Sequence, residues 1–309
     1  MILNKPKYWD KKIGIISILL FPITIIVLVI IFLKKKLTLA KKFNIPIICV
    51  GNIYVGGTGK TPTSIFLGNE LKKLGRNPAI LRKFYESHVD EYNLIKKYFS
   101  NLILNKNRLD GIKSKMNNFD SIILDDGFQD YTIKKNLSII CFNQNQMIGN
   151  GMVLPSGPLR ESIYSLKRAD IILINGEKDI KFEDKISVIN KDIEFFYSTY
   201  KPINLAEFKN KKLLAIAGIG NPENFFNLIE NNNLKINEKI IFPDHYKISK
   251  TEMQKILKKA EVKNYQIIMT EKDFFKIEKY KLKNIKYLKI LLEINEHEKF
   301  LKRINDLYD

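Results

Sequence analysis

CVGNIYVGGTGKTP, residues 49–62, decides the fold. A short apolar run at 45–50 (IPIICV) leads into it, as in a strand buried on both faces of a parallel sheet. A glycine-rich turn follows, then Gly59-Lys60-Thr61 and a helical pattern from Pro62 to Leu74. Strand, glycine turn and new helix make a P-loop context. Glycines let backbone N–H groups close around phosphate oxygens, and the start of the helix presents partial positive charge. Gly56, Gly57, Thr58, Gly59, Lys60 and Thr61 are therefore the expected nucleotide-binding residues, with Lys60 on the β- and γ-phosphates and Thr61 on Mg2+. The strict pattern asks for glycine at 54, where this chain has Tyr54, and leaves Gly51, Gly56 and Gly57 to do that work.

Outward from the loop, apolar runs at 78–81, 102–104, 122–124, 137–142 and 171–174 alternate with helical patterns. This predicts an α/β fold, a P-loop NTPase-type parallel sheet flanked by helices. Near residue 205 the pattern restarts with a strand at 212–217, the turn Gly218-Ile219-Gly220-Asn221-Pro222, a helical stretch and a strand at 266–269. The expected organisation is an N-terminal membrane anchor over 1–40, a P-loop core over 41–204 and a smaller α/β subdomain over 205–309. Cys49 and Cys141 lie far apart in apolar strand-like contexts and read as small buried hydrophobes.

The partner of the P-loop is SIILDDGFQ, residues 121–129. An apolar strand ending in Asp125-Asp126 is the Walker B arrangement, which sets carboxylates beside the P-loop where Mg2+ needs oxygen ligands, so Asp125 and Asp126 join Thr61 as the expected Mg2+ ligands. Alone, Asp-Asp-Gly after an apolar run is usually a turn. With a P-loop upstream, the metal reading is the better one.

The formal charge is +19, and residues 1–50 hold nine lysines against Asp10, a net +8, leaving +11 for the rest. Such a surface suits anionic partners. Residues 13–33 (IGIISILLFPITIIVLVIIFL) carry no charge and sit between Lys11-Lys12 and Lys34-Lys35-Lys36. A helix of that length is ~30 Å long and matches the hydrocarbon core of a bilayer. The trailing lysines argue against a cleaved signal peptide, and Pro22 is a potential kink. Both flanks are basic, so charge does not choose an orientation. A site that uses ATP implies the cytoplasmic side.

Taken together, these residues resemble the tetraacyldisaccharide 4'-kinase family over nearly the whole chain. The resemblance begins with the apolar N-terminal segment and runs through Val50-Gly51-Asn52, Val55-Gly56-Gly57-Thr58-Gly59-Lys60-Thr61-Pro62 and Asp125-Asp126-Gly127-Phe128-Gln129. It continues in Gly149-Asn150-Gly151, Leu154-Pro155-Ser156-Gly157-Pro158-Leu159-Arg160-Glu161, Ala217-Gly218-Ile219-Gly220-Asn221-Pro222, Phe242-Pro243-Asp244-His245 and Thr270-Glu271-Lys272-Asp273. It implies transfer of phosphate from Mg-ATP to the 4'-hydroxyl of a tetra-acylated glucosamine disaccharide 1-phosphate, in lipid A synthesis, at the cytoplasmic face of the inner membrane. It also implies that Asp90 is the catalytic base, within Val89-Asp90-Glu91-Tyr92 where the family has Gly-Asp-Glu-Pro, and that His245 pairs with it. Glu161 is then a further Mg2+ carboxylate, Arg160 and Arg108 bind phosphate or acceptor, and Arg82 stands in the acceptor-binding stretch.

The chain departs from the family in that stretch. Arg82-Lys83-Phe84-Tyr85 replaces Arg-Gly-Tyr-Gly, and the loop before Asp90 is shorter. Asp130 and Tyr246 stand where the family has histidine or a basic residue. This motivates an alternative, a membrane-anchored nucleotide-binding scaffold without lipid transferase activity. A nucleic-acid-binding ATPase is disfavoured, because the chain has no aromatic single-strand platform and no DNA-binding motif. In Thr270-Glu271-Lys272-Asp273 the lysine is one position out of place for a guanine-reading motif. Neither residues nor resemblance set an oligomeric state.

Overall fold

The structure, a computed structural model, describes residues 6–244 and 246–308. The chain runs α1 (Ile15–Leu19), α2 (Phe21–Leu37), β1 (Ile47–Gly51), α3 (Lys60–Lys73), β2 (Pro78–Lys83), α4 (Val89–Tyr98), β3 (Leu102–Asn105), α5 (Arg108–Lys115), β4 (Ser121–Asp125), β5 (Leu137–Asn143) and β6 (Ile171–Asn175). It continues through α6 (Ile180–Ser187), β7 (Glu194–Pro202), β8 (Lys212–Ala217), α7 (Pro222–Glu230), β9 (Ile236–Ile241), α8 (Lys250–Val262), β10 (Tyr265–Thr270), α9 (Glu271–Ile277), β11 (Ile285–Leu288), β12 (Ile290–Ile294) and α10 (His297–Asn305).

The larger sheet has the order β12-β7-β6-β5-β1-β4-β2-β3, and the seven strands from β7 to β3 pair parallel. β1 lies between β5 and β4, and Val50 pairs in register with Asp125, so the P-loop strand and the acidic strand end side by side. β1, β4 and β5 are buried along their whole length, as continuous apolar runs require. Each fully buried Ile or Leu there contributes about 1.5–3 kcal/mol. α3 buries Leu67 and Leu71 on one face, and its Gly68 lies against Phe99, where an added Cβ would come 2.7 Å from the ring. The smaller sheet has the order β11-β10-β8-β9, all parallel.

The chain divides into two compact units. One comprises Lys5–Phe84, Phe99–Thr199 and Glu293–Asp309, the other Tyr85–Tyr98 and Tyr200–Leu292. The division at Tyr200 lies close to the expected one at 204/205, but two segments change sides. α10 packs Phe300 edge-on against Phe196 and sets His297 3.2 Å from Glu70, which returns the C-terminus to the P-loop unit. α4 goes with the C-terminal unit, because Lys97 and Tyr98 both bond Glu271 at 2.7 Å.

Residues 13–33 do not form the single helix that their length suggests. α1 ends at Leu19 and α2 restarts at Phe21, with Pro22 in its first turn. In a continuous helix Pro22 would lack its N–H bond and press on the carbonyl of Ile18. The uncharged part of α2, residues 21–33, is then only ~20 Å long, short of the ~30 Å hydrocarbon core. Among the described residues no helix is long and apolar enough to cross a membrane. The two most buried residues of this stretch are polar, while Val27 and Leu28 pack partly buried against the core. Ser17 and Thr24 are 0 and 1% exposed, while Ile18, Ile26 and Ile30 are 61, 61 and 58% exposed. The Thr24 hydroxyl donates to Ser156 Oγ at 2.8 Å, and Asn150 donates to Ser17 at 3.2 Å.

Candidate active site

The P-loop is shaped from within by Asn52. Its buried side-chain amide donates to the Tyr54 carbonyl at 2.6 Å and to Thr58 Oγ1 at 2.9 Å, curling the loop around itself. Gly56 and Gly59 take φ of 140° and 92°, which side chains with a Cβ adopt only under strain. Tyr54, in place of the usual glycine, is buried and donates its hydroxyl to Asp10 Oδ1 at 2.8 Å. The sharp turn therefore falls at Gly56 rather than at 54. Lys60 opens α3 with its ammonium 3.5 Å from Asp126. Burial lowers the Lys60 pKa, and Asp126 works against that loss.

Asp125 is fully buried at the end of β4. Its Oδ2 accepts from Thr61 Oγ1 at 3.2 Å and from the Arg82 guanidinium, and its Oδ1 accepts from Ser64 at 3.1 Å. Arg82 also donates to Thr61 Oγ1 at 3.1 Å. Asp126 turns the chain with φ 57° and pairs with Arg160 at 2.8 Å and Lys60 at 3.5 Å. Burial raises the Asp126 pKa, but Lys60, Arg160, Arg82 and Arg108 outweigh it and hold the carboxyl well below the usual range. Arg108 donates to the carbonyl oxygens of Asp125 (3.3 Å) and Asp126 (2.7 Å) and lies 3.5 Å from Asp130. The loop and the acidic turn touch directly. Gln129 donates to the Asn52 carbonyl at 2.8 Å, and a Cβ on Gly51 would sit 2.5 Å from that of Phe128. Lys60, Arg82, Arg108 and Arg160 thus face Asp125, Asp126 and Asp130, an excess of positive charge suited to phosphate.

Glu161, next to Arg160 in the chain, has partners of its own. It is buried against Arg168 (2.5 Å) and the Tyr131 hydroxyl (2.7 Å), with the Arg168 guanidinium stacked over Phe128 at 4.3 Å. Among the described residues no three His, Cys, Asp or Glu side chains gather to hold a metal ion. In this structure the charge of Glu161 is balanced by Arg168, as that of Asp125 is by Arg82.

In the C-terminal unit, Asp90 lies buried in the first turn of α4, where helix N-termini favour carboxylates. Lys272 reaches it from α9. Its ammonium is 3.8 Å from Asp90, 3.0 Å from Glu91 and 3.1 Å from Asp244. His245 lies outside the described residues. The turn at Gly218 is held by Asp273, which accepts from the Gly218 N–H (2.7 Å), the Thr270 hydroxyl (2.6 Å) and Lys276 (2.6 Å).

A profile described as Tetraacyldisaccharide-1-P 4'-kinase matches residues 16–98 and 87–309, nearly the whole chain. The chain belongs to the tetraacyldisaccharide 4'-kinase family. A curated family protein from Pelagibacter ubique is 39% identical over 312 residues, covering 98% of either chain. One from Haemophilus influenzae is 31% identical over 85% of this chain and 83% of its own. The fold matches the crystal structure of LpxK from Aquifex aeolicus in complex with ATP, with TM-score 0.73 and 22% identity over 96% of this chain and all of that one.

In this kinase-family chain, the structure brings together Lys60, Thr61, Asp125, Asp126, Arg82, Arg108 and Arg160. Glu161 pairs with Arg168, and Asp90 belongs to the other unit. Sequence reasoning missed Ser64, Arg168 and Tyr131. It quoted Lys272 only as a letter of the Thr270-Glu271-Lys272-Asp273 motif. A lysine in the first turn of a helix, where the dipole disfavours a cation, was the available signal.

Proposed function

We propose that this chain transfers the γ-phosphate of ATP to the 4'-hydroxyl of a tetraacyl disaccharide 1-phosphate, at the cytoplasmic face of the inner membrane, as a step of lipid A synthesis. One observation carries the reading: Lys60 and Thr61, at the head of α3, are held against Asp126 and Asp125, at the end of β4. The N–H groups of residues 56–59 cradle the phosphates, with the glycines permitting that backbone path. Lys60 offsets charge on the transferred group, and Arg160, partly open to solvent, adds a second cation.

Thr61 and Asp125 are the residues that would hold Mg2+. They fit it, because their oxygens already share one cation, the Arg82 guanidinium, and a fully buried Asp125 requires such a partner. When bound, Mg2+ supplies charge neutralisation on the phosphate oxygens. Arg108 spends its donors on main-chain carbonyls and so shapes the acidic turn. In the transfer itself, the 4'-oxygen forms a bond to the γ-phosphorus and the bond to the bridging oxygen breaks. ADP leaves, and the hydroxyl proton passes to Asp90, with His245 as its partner.

α1 and α2 set the enzyme on the bilayer surface. Their hydroxyl residues face the protein, their isoleucines face outward, and lysines flank both ends. An apolar outward face bounded by lysines suits docking on a membrane with anionic headgroups.

The test is transfer of label from γ-labelled ATP to tetraacyl disaccharide 1-phosphate in detergent micelles, with Lys60→Ala as control. Labelled lipid from the native chain, absent in the variant, supports the kinase. ATP binding by a folded protein that labels no lipid supports the scaffold alternative instead.

A further inference from the structure

We propose that Lys272 is a positioning residue for Asp90: its ammonium gathers the Asp90, Glu91 and Asp244 carboxylates and holds Asp90 in its ionised, proton-accepting form. The inference rests on the reading of Asp90 as the base.

Three observations carry it. The first is geometry. One nitrogen lies 3.0 Å from Glu91, 3.1 Å from Asp244 and 3.8 Å from Asp90, and its side chain is only 15% exposed. Three carboxylates brought this close repel, and the repulsion falls on whichever of them is best buried. Asp90 is the most buried, with a side chain 5% exposed against 13% for Glu91 and 33% for Asp244. Without a cation it would retain its proton and could not accept another.

The second is placement. Lys272 stands in the first turn of α9, where the helix dipole disfavours positive charge. Its two neighbours, Glu271 and Asp273, are committed elsewhere. Glu271 binds Lys97 and Tyr98, and Asp273 holds the Gly218 turn and Lys276. Lys272 is therefore the cation that α9 turns toward the start of α4.

The third is the set of charged groups that the described residues gather at Asp90. α4 contributes Glu91, with His88 3.5 Å from Glu91 on the preceding turn. α9 contributes Lys272, and the segment after β9 contributes Asp244, next to His245. Lys272 touches all three carboxylates, so removing its charge and removing one of theirs must act on Asp90 in opposite directions.

That opposition is the test. The acid limb of the kcat–pH profile is read for the full-length enzyme in micelles, with Asp90→Asn as reference. Lys272→Gln removes the cation, so the limb moves up by about one pH unit, a tenfold loss on its acid side. Lys272→Arg restores most of that shift. Glu91→Gln removes a competing carboxylate, so the limb moves down. KM for ATP stays at the native value in all three, because the P-loop is untouched. A limb that stays in place in Lys272→Gln overturns the proposal, as does one that moves up or not at all in Glu91→Gln. If Lys272→Gln does not fold, Glu91→Gln decides alone. The two readings fail separately. Full turnover in Asp90→Asn removes the base itself, whereas an inactive Asp90→Asn with an unmoved limb in Lys272→Gln removes only the role of Lys272.

Discussion

The P-loop with its acidic turn and the Asp90–Lys272 cluster are built in opposite ways. The first is made of two contiguous stretches, 49–62 and 121–129, whose own backbones create the site. Glycines at 56 and 59 supply the positive φ, Asn52 ties the loop to itself, and β1–β4 pairing delivers the acids. The second is gathered from three places, with Asp90 and Glu91 from α4, Asp244 after β9 and Lys272 from α9. Nothing local obliges these residues to meet. Only the packing of α4 and α9 on one unit brings one ammonium to three carboxylates. A site built from local backbone shape tolerates little change of residue type. A site built from long side chains depends on charge balance.

The largest expected effect separates the two. Lys60→Ala lowers turnover about 10³-fold and weakens ATP binding, because the cation on the phosphates is lost. Asp90→Asn lowers turnover by about 10²-fold or more, while ATP affinity measured by calorimetry stays within about twofold. A fall in ATP affinity with Asp90→Asn would break the comparison, since the base would then also serve the nucleotide.

The next effect concerns the outward face of α2. Ile26→Asp combined with Ile30→Asp lowers co-flotation with vesicles of anionic phospholipid by about tenfold, and leaves transfer to a detergent-dispersed acceptor near native. Unchanged flotation would mean that this face does not dock on lipid.

A smaller effect tests the charge network at the acidic turn. The Asp126 carboxyl is held below its ordinary value of 3.8 in the folded protein. A depressed carboxylate contributes stability that is fully present above the unfolded value and lost as pH falls toward the folded one. Urea denaturation should therefore show stability declining from about pH 4 downward, and Asp126→Asn should flatten that decline. An unaltered slope in the variant would assign the acid sensitivity to other carboxylates.

The smallest effect is an absence of reaction. Burial pushes the Cys49 thiol up to about 11 and the Cys141 thiol to about 12. Neither should react with a disulfide reagent near pH 8 until urea unfolds the chain. Fast reaction of either would mean that its strand opens.

The fold was legible in the sequence where strands are buried on both faces. β1, β4, β5, β6 and β8 all coincide with apolar runs. The strands that escaped notice were β7, β9, β11 and β12, where burial alternates or is partial. β9 reads INEKII with every second residue turned out, and it pairs only with β8 in the smaller sheet. The stretch at 13–33 has the composition of a membrane anchor, and its letters do not choose between spanning and shallow insertion. The structure adds a break before Phe21 and hydrogen bonds joining Ser17 to Asn150 and Thr24 to Ser156.

By itself, the sequence determined the P-loop, the acidic strand end and the family. Each depends on residues within a few positions of one another, where backbone φ, helix starts and strand burial are set locally. Tertiary structure alone decided that Glu161 meets Arg168 and Tyr131, that Arg82 sits on Thr61 and Asp125, and that Lys272 faces Asp90. Those outcomes turn on which distant side chain arrives first at a buried charge. That is a matter of packing geometry and charge compensation, which no run of adjacent letters records.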